Sequence, residues 1–127
     1  MRSCNDNPEK QDHRVQTGKT FEHLAGRFFV QNGFEILERN WRTGHREIDL
    51  IVKKDNLIVF VEVKSASSQK FGHPANRVDN KKVANLTRAA QQYLIDHSIE
   101  NHDLRFDVVT YVQGKLEHFP NAFPAGE

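Results

Sequence analysis

Asp49, Glu62 and Lys64 stand out by residue type and spacing. Asp49 lies in Glu47-Ile48-Asp49-Leu50-Ile51, and Glu62 and Lys64 lie in Phe60-Val61-Glu62-Val63-Lys64. Both runs are rich in Ile, Val and Phe, the composition of strands. The spacer Lys53-Lys54-Asp55-Asn56 ends in turn formers. A two-residue turn at Asp55-Asn56 predicts a hairpin in which Lys54 faces Leu57, Asp49 faces Glu62 and Glu47 faces Lys64; a four-residue turn shifts the register by two, keeps the same faces and makes these pairs diagonal neighbours. Like charges directly opposite destabilise a sheet by up to roughly 1 kcal/mol. A divalent cation between them reverses that sign, and a hard cation such as Mg²⁺ takes one or two carboxylates plus water and phosphate oxygens. Lys64 points the same way as Glu62, about 7 Å further along the strand. That places its ammonium near a water on the cation or near a scissile phosphate. The main-chain carbonyl of Val63 is a candidate further ligand.

Alternation assigns the hairpin two faces. Ile48, Leu50, Val52, Leu57, Val59, Val61 and Val63 form an apolar face that must pack on a core. Glu47, Asp49, Ile51, Ile58, Phe60, Glu62 and Lys64 form the other, apolar near the turn and ionised at the far end. A solvated face would scatter its charges along the length. Glu47 with Lys64 also reads as a plain cross-strand ion pair.

A helix must supply what stands over this ionised end. From Lys19 to Asn32, Phe21, Leu24, Ala25, Phe28 and Phe29 recur on one helical face. Thr17 or Thr20 can cap its start, and Asn32-Gly33 is a stop. Glu22 falls on the edge of the apolar stripe, where it can reach the ionised end of the hairpin. An acidic residue near a helix start also satisfies the macrodipole without further purpose. Gly26, one turn later, leaves room for a ligand or for close packing.

The remaining elements follow the same logic. Phe34 to Leu37 reads as a short strand, followed by a polar loop with Arg39, Trp41, Arg42, Gly44, His45 and Arg46. The strands Glu47–Val52 and Leu57–Lys64 follow, then a loop with Ser65, Gly72 and Pro74. A helix from Asp79 to His97 places Val83, Leu86, Ala90, Tyr93, Leu94 and His97 on one side. Leu104–Val112 and Lys115–Phe119 are strands joined by Gln113-Gly114. The order α-β-β-β-α-β-β predicts a mixed α/β fold, its third and fourth strands parallel through a crossover.

The chain of 127 residues has room for one domain. Residues 1–17 are polar, with little to bury, and read as a mobile tail before a domain at 18–127. Hydrophobic residues at 37% and charged residues at 28% lie within the globular range. No apolar run is long enough for a spanning helix, and no apolar leader follows the first charge. One cysteine, Cys4, excludes an internal disulfide framework and a cysteine-rich zinc site. The expected location is cytoplasmic, with no membrane partner. Net charge is only +1, but Lys64 to Arg88 holds six Lys or Arg against one Asp. Ala89 to the end holds two against six. The central segment is the candidate for contacting a polyanion. Thr17-Gly18-Lys19-Thr20 lacks the earlier glycine and strand of a phosphate-binding loop. None of the seven histidines has a zinc spacing, and His97 reads as a satisfied core residue.

An Asp in one strand followed by Glu-x-Lys in the next resembles the PD-(D/E)xK nuclease superfamily. The wider chain resembles the YraN-like family of small bacterial proteins, grouped with endonucleases related to archaeal Holliday-junction resolvases. The match runs from about Gly18 to Phe123 and includes Gly33-Phe34, Glu38-Arg39-Asn40, Phe71-Gly72, Arg88-Ala89-Ala90, Tyr93-Leu94, Arg105-Phe106-Asp107 and Asn121-Ala122-Phe123. Phe21 and Arg46 stand where the family usually has glycine. The resemblance implies a restriction-endonuclease-like core, a mixed five-stranded sheet flanked by helices. It implies hydrolysis of DNA phosphodiesters, with Asp49 and Glu62 holding Mg²⁺ or Mn²⁺ and Glu22 assisting. Lys64 would orient water or stabilise developing charge. Arg39, Arg42 and Arg46 are expected to contact backbone phosphates, and Trp41 to pack in the core rather than stack on a base. Lys81, Lys82 and Arg88 lie on the second helix's polar face, where solvation or DNA contact would each suit them. A homodimer would suit a branched substrate by analogy. The competing reading is a non-catalytic nucleic-acid-binding or interaction module that keeps the fold.

Overall fold

A computed structural model describes residues 13–66 and 80–124. Helix α1 spans His13–Gln31. Residues 13–17, expected in the tail, are thus helical, and Thr17 and Thr20 lie inside the helix instead of capping it. Arg14, Gln16 and Lys19 are good helix formers. An established helix extends at one hydrogen bond per residue. The apolar stripe therefore marks where α1 packs, not where it begins. The rest of the expected tail, residues 1–12, lies outside the described residues. The stop at Asn32-Gly33 is as expected. Gly33 takes φ +91°, its N–H donates to Val30 O at 3.0 Å, and Phe34 N–H donates to Phe29 O at 2.9 Å. Those two bonds satisfy the last carbonyls of the helix.

Strand β1 spans Glu35–Thr43, so the polar stretch expected as a loop is extended. Its sequence hides the strand because it is an edge, free to carry Arg and Glu, and because its alternation breaks. Asn40 takes φ +52°. Strands β2 (Arg46–Lys54) and β3 (Leu57–Ala66) follow. Helix α2 spans Asn80–Asp96, and β4 (Asp103–Val112) and β5 (Lys115–Phe119) close the chain. Gly72, Pro74 and Asp79, and the Phe71-Gly72 match, lie outside the described residues. The five strands stand in chain order, with β3 and β4 parallel and the other pairs antiparallel.

Each face of the sheet is covered by one helix. Against α1 pack Leu50, Val52, Val59, Val61, Val109 and Tyr111, with Ala25 and Phe29 from the helix. Against α2 pack Ile48, Ile51, Ile58, Phe60 and Phe106, with Leu86, Ala89, Ala90 and Tyr93. The structure corrects one expected face. Ile48 belongs to the α2 layer, although Leu50, two residues on, belongs to the α1 layer. Trp41 lies opposite Ile48 and also packs on the α2 layer. Arg39 lies opposite Leu50 and has its guanidinium over Gly26 of α1. Both strands lose phase between these pairs, at Asn40 and Asp49. The side chain at the phase break is left near the plane of the sheet.

Candidate active site

The turn Asp55-Asn56 sets the predicted register, with Lys54 opposite Leu57 and each next pair in step as far as Leu50 and Val61. The ladder between β2 and β3 extends to that pair. Beyond it, β2 follows β1 to the pair Arg46 and Thr43. β3 follows β4 to the pair Ala66 and Val112. The two central strands part where Asp49 and Glu62 occur. The Asp49 side chain enters the fork, and its Oδ2 accepts the Val63 N–H at 2.8 Å. A carboxylate thus replaces a rung of the ladder. A strand residue presents its N–H and C=O to the same neighbour. The Val63 carbonyl therefore faces the fork as well.

This corrects two expected pairings. Asp49 and Glu62 share the fork without forming a ladder pair. Glu47 does not face Lys64; it meets Arg42 across β1, Oε2 to guanidinium nitrogen, at 3.5 Å.

Glu62 is buried, with 7% of its surface exposed. Its Oε2 lies 2.8 Å from Lys82 Nζ and 3.9 Å from Lys64 Nζ. Burial pushes the Asp49 carboxyl up to about 7, and the charges of Glu62, Glu22 and Glu47 push the same way against the Val63 hydrogen bond. Burial opposes the Lys82 charge, yet the hydrogen bond to Glu62 and the charges of Glu62, Asp49 and Glu47 hold its pKa above lysine's ordinary value. Four carboxylates and two ammoniums therefore act on one another at the fork. Glu22, on α1, acts on Asp49 through its charge alone. Lys82 was expected on a solvated or DNA-facing surface, and it is instead the closest cation to Glu62.

The other expected contacts are dispersed. Arg39 is exposed, and a Cβ on Gly26 would come within 2.8 Å of its guanidinium. Gly26 is thus explained by close packing. Arg39 and Arg42 project from an edge strand and not from a loop. Arg46 is half-buried, and its Nε has no hydrogen-bond partner among the described residues. Lys81 and Arg88 are exposed on α2. Trp41 packs edge-on against Tyr93 at 5.2 Å between ring centroids, in the core as expected. His97 is exposed, not a core residue; it tilts over the Tyr93 ring and lies 3.7 Å from Glu38.

One buried charge was not foreseen. Asp107 is fully buried on β4. It accepts hydrogen bonds from Arg105 Nε at 2.8 Å and the Asn121 N–H at 2.9 Å. Arg105 donates a second at 2.9 Å, and His118 Nε2 lies 2.7 Å away. Burial works against its charge, but the contacts to His118, Arg105 and Asn121 outweigh it and hold the pKa below the usual carboxylate value. The signal was an Asp two residues after an Arg in an otherwise apolar run, since residues two apart share a face.

The donor set at the fork fits a hard divalent cation. Such an ion needs oxygen ligands and keeps several waters. Asp49 and Glu62 supply carboxylate oxygens, the Val63 carbonyl faces the same space, and a divalent charge would relieve the repulsion that raises Asp49. Among the described residues no three His, Cys, Asp or Glu side chains converge as metal ligands, so the carboxylate donors at the fork are two, Asp49 and Glu62.

Comparison with known proteins gives a family-level match. The family model described as uncharacterised protein family UPF0102 matches residues 21–111. A UPF0102 protein of Chloroherpeton thalassium is 45% identical over 109 residues, covering 86% of this chain and 83% of the relative. A UPF0102 protein of Thermodesulfovibrio yellowstonii is 41% identical over 110 residues, covering 87% of this chain and 97% of the relative. Among solved structures, the chain is similar to Pyrococcus furiosus SfsA in complex with Ca²⁺, at 17% identity and a TM-score of 0.39, covering 86% of this chain and 64% of that one. No helix among the described residues is long and apolar enough to cross a membrane.

Proposed function

The chain belongs to the uncharacterised protein family UPF0102, and on that premise we propose that it is a metal-dependent endonuclease acting on DNA. The membership agrees with the resemblance to the YraN-like family. The observation that carries the proposal is the fork, where β2 and β3 release Asp49 and Glu62 into shared space with Lys64 beside them. A structural hairpin has no reason to stop its ladder at two carboxylates, one buried and one half-buried. Asp49, Glu62 and the Val63 carbonyl would hold Mg²⁺ or Mn²⁺. When bound, the ion would polarise the phosphate and make a nearby water more acidic.

The chain's own residues do the rest. Asp49 is oriented by the Val63 N–H, so its second oxygen stays available. Lys64 is fixed by β3 and presents an ammonium to the attacking water or to charge developing on the phosphate. Glu22 stands where it can accept a proton from water on the α1 side. Arg39 and Arg42 on β1, Arg46 on β2 and Lys81 on α2 would add separate contacts to backbone phosphates. A branched substrate such as a four-way junction would be met by two copies of the chain, one site for each strand.

The test is cleavage of four-way, duplex and single-stranded DNA with Mg²⁺ or Mn²⁺, with Glu62→Ala as control. Cleavage that depends on the ion and falls by about 10²–10³-fold in the variant is expected. No cleavage of any form, or equal cleavage by the variant, overturns the proposal.

A further inference from the structure

We infer that Lys82 is an exchangeable counter-cation, which holds Glu62 before a divalent ion arrives and is released toward substrate phosphate when the ion takes its place. The inference rests on the metal-dependent reading of the fork and adds a residue to it. Glu62 is the more buried partner, with 8% of its side chain exposed against 43% for Lys82. A buried carboxylate requires a counterion. At 2.8 Å, Lys82 Nζ already occupies a first-contact position on Oε2. A divalent ion on Glu62 and an ammonium at that distance repel each other, so the two cations compete for one oxygen.

Lys82 and Lys64 are unequal in this competition. Lys64 sits on a central strand, paired through β3 with Thr110 of β4, and is 3.9 Å from the same oxygen. It can stay while an ion binds. Lys82 reaches in from α2 on a flexible, half-exposed stem and can swing outward. Its place in the helix is a second, independent observation. The first turn of α2 carries Lys81 and Lys82 and no acidic residue. Cations are disfavoured at a helix N-terminus, and Asp or Glu is the usual choice there. The pairing with Glu62 offsets that penalty while no ion is bound. Once displaced, Lys82 stands beside Lys81, at the rim where an anionic backbone would arrive.

The experiment is calorimetric titration of the full chain with Mn²⁺ for wild type, Lys82→Gln and Lys82→Arg. Removing the competing ammonium is expected to tighten Mn²⁺ binding roughly three- to tenfold in Lys82→Gln, and Lys82→Arg should stay close to wild type. Equal or weaker binding by Lys82→Gln overturns the exchange while leaving the nuclease reading standing. Absence of Mn²⁺ binding by wild type overturns both. A wild-type measurement covers failure of the variants to fold. The Lys82 ammonium signal in nitrogen-15 NMR should be protected without metal and lost on saturation with Mg²⁺. Retention of that signal at saturation overturns the exchange.

Discussion

Asp49 and Asp107 are the same residue in the same sheet, and their surroundings are opposite. Asp107 is fully buried and ringed by donors: Arg105, the Asn121 N–H and His118. Asp49 has one main-chain donor and is faced by Glu62, Glu22 and Glu47. The first carboxylate is held ionised, below the usual value. The second is pushed up to about 7. A buried acid whose donors are complete rigidifies a fold, here by tying the segment after β5 to β4. A half-buried acid faced by three other acids is an electrostatic deficit, and such deficits gather where an ion or a proton is to be handled.

The largest test of this contrast separates activity from stability. Asp49→Asn should lower DNA cleavage by about 10²–10³-fold. The metal-free protein should unfold no more easily than wild type, since the change removes a charge that its neighbours oppose. Asp107→Asn should do the reverse. Breaking a buried, charge-assisted network costs about 3 kcal/mol, visible in urea melts, and the affinity for Mn²⁺ should stay within twofold of wild type. If Asp49→Asn destabilises as much as Asp107→Asn, both acids are structural and the contrast is lost.

The pH dependence should bend in opposite senses for the two acids. Asp49 has its folded pKa raised from 3.8 to about 7, so the folded state keeps a proton that the unfolded chain gives up. Its contribution is fully present below about 4 and lost as pH rises to about 7, a fall of roughly 2 kcal/mol once solvent screening is allowed for. Asp107 has its pKa lowered, so its contribution is present above 3.8 and lost as pH falls through the folded value. In melts without metal, Asp49→Asn should flatten the limb between pH 4 and 7, and Asp107→Asn the acid limb below it. Saturating Mg²⁺ binds the ionised form, so it should raise the melting temperature by several degrees at pH 8 and hardly at all at pH 5.

Much of this was legible before any coordinates. The spacing of Asp49, Glu62 and Lys64 places them together at one end of the hairpin, because period-two alternation and a two-residue turn determine which residues share an end. The strand and helix order and the helix edge carrying Glu22 follow from periodicity, the parallel pairing of β3 and β4 from the crossover between them, and the mixed five-stranded sheet is what the family resemblance implies. What stayed hidden depended on backbone departures from the ideal period. On β1 the register shifts between Ile36 and Glu38 and Asn40 takes φ +52°, and Trp41 and its partner Ile48 lie on the face opposite Arg39 and Leu50. The ladder's end at Leu50 and Val61 replaces an expected rung with a side chain. The start of strand β1 is legible at Phe34 to Leu37, but its run on to Thr43 is not, because an edge tolerates the polar residues of a loop. Lys82 was placed on a polar helix face, and only tertiary packing brings it to Glu62. Its one sequence signal, two lysines in a first helical turn, runs against the macrodipole.

The smallest expected effect lies beside the fork, where packing and not charge is in question. Gly26→Ala places a Cβ 2.8 Å from one Arg39 guanidinium nitrogen, 3.0 Å from the other and 3.1 Å from Ile36 Cδ1. The guanidinium is the far end of a flexible, exposed side chain and can move. Ile36 is half-buried and must give by a few tenths of an ångström. Against this stands the gain of about 1 kcal/mol for Ala over Gly inside a helix. The two effects should nearly cancel, leaving stability within about 1 kcal/mol of wild type in urea melts. No carboxylate of the fork changes its neighbours, so the limb between pH 4 and 7 should keep its slope. DNA binding reads the remaining consequence. One displaced phosphate contact weakens binding modestly and lowers the salt slope by about 1. An unchanged slope would place Arg39 outside the DNA contact and leave Arg42, Arg46 and Lys81 to carry it.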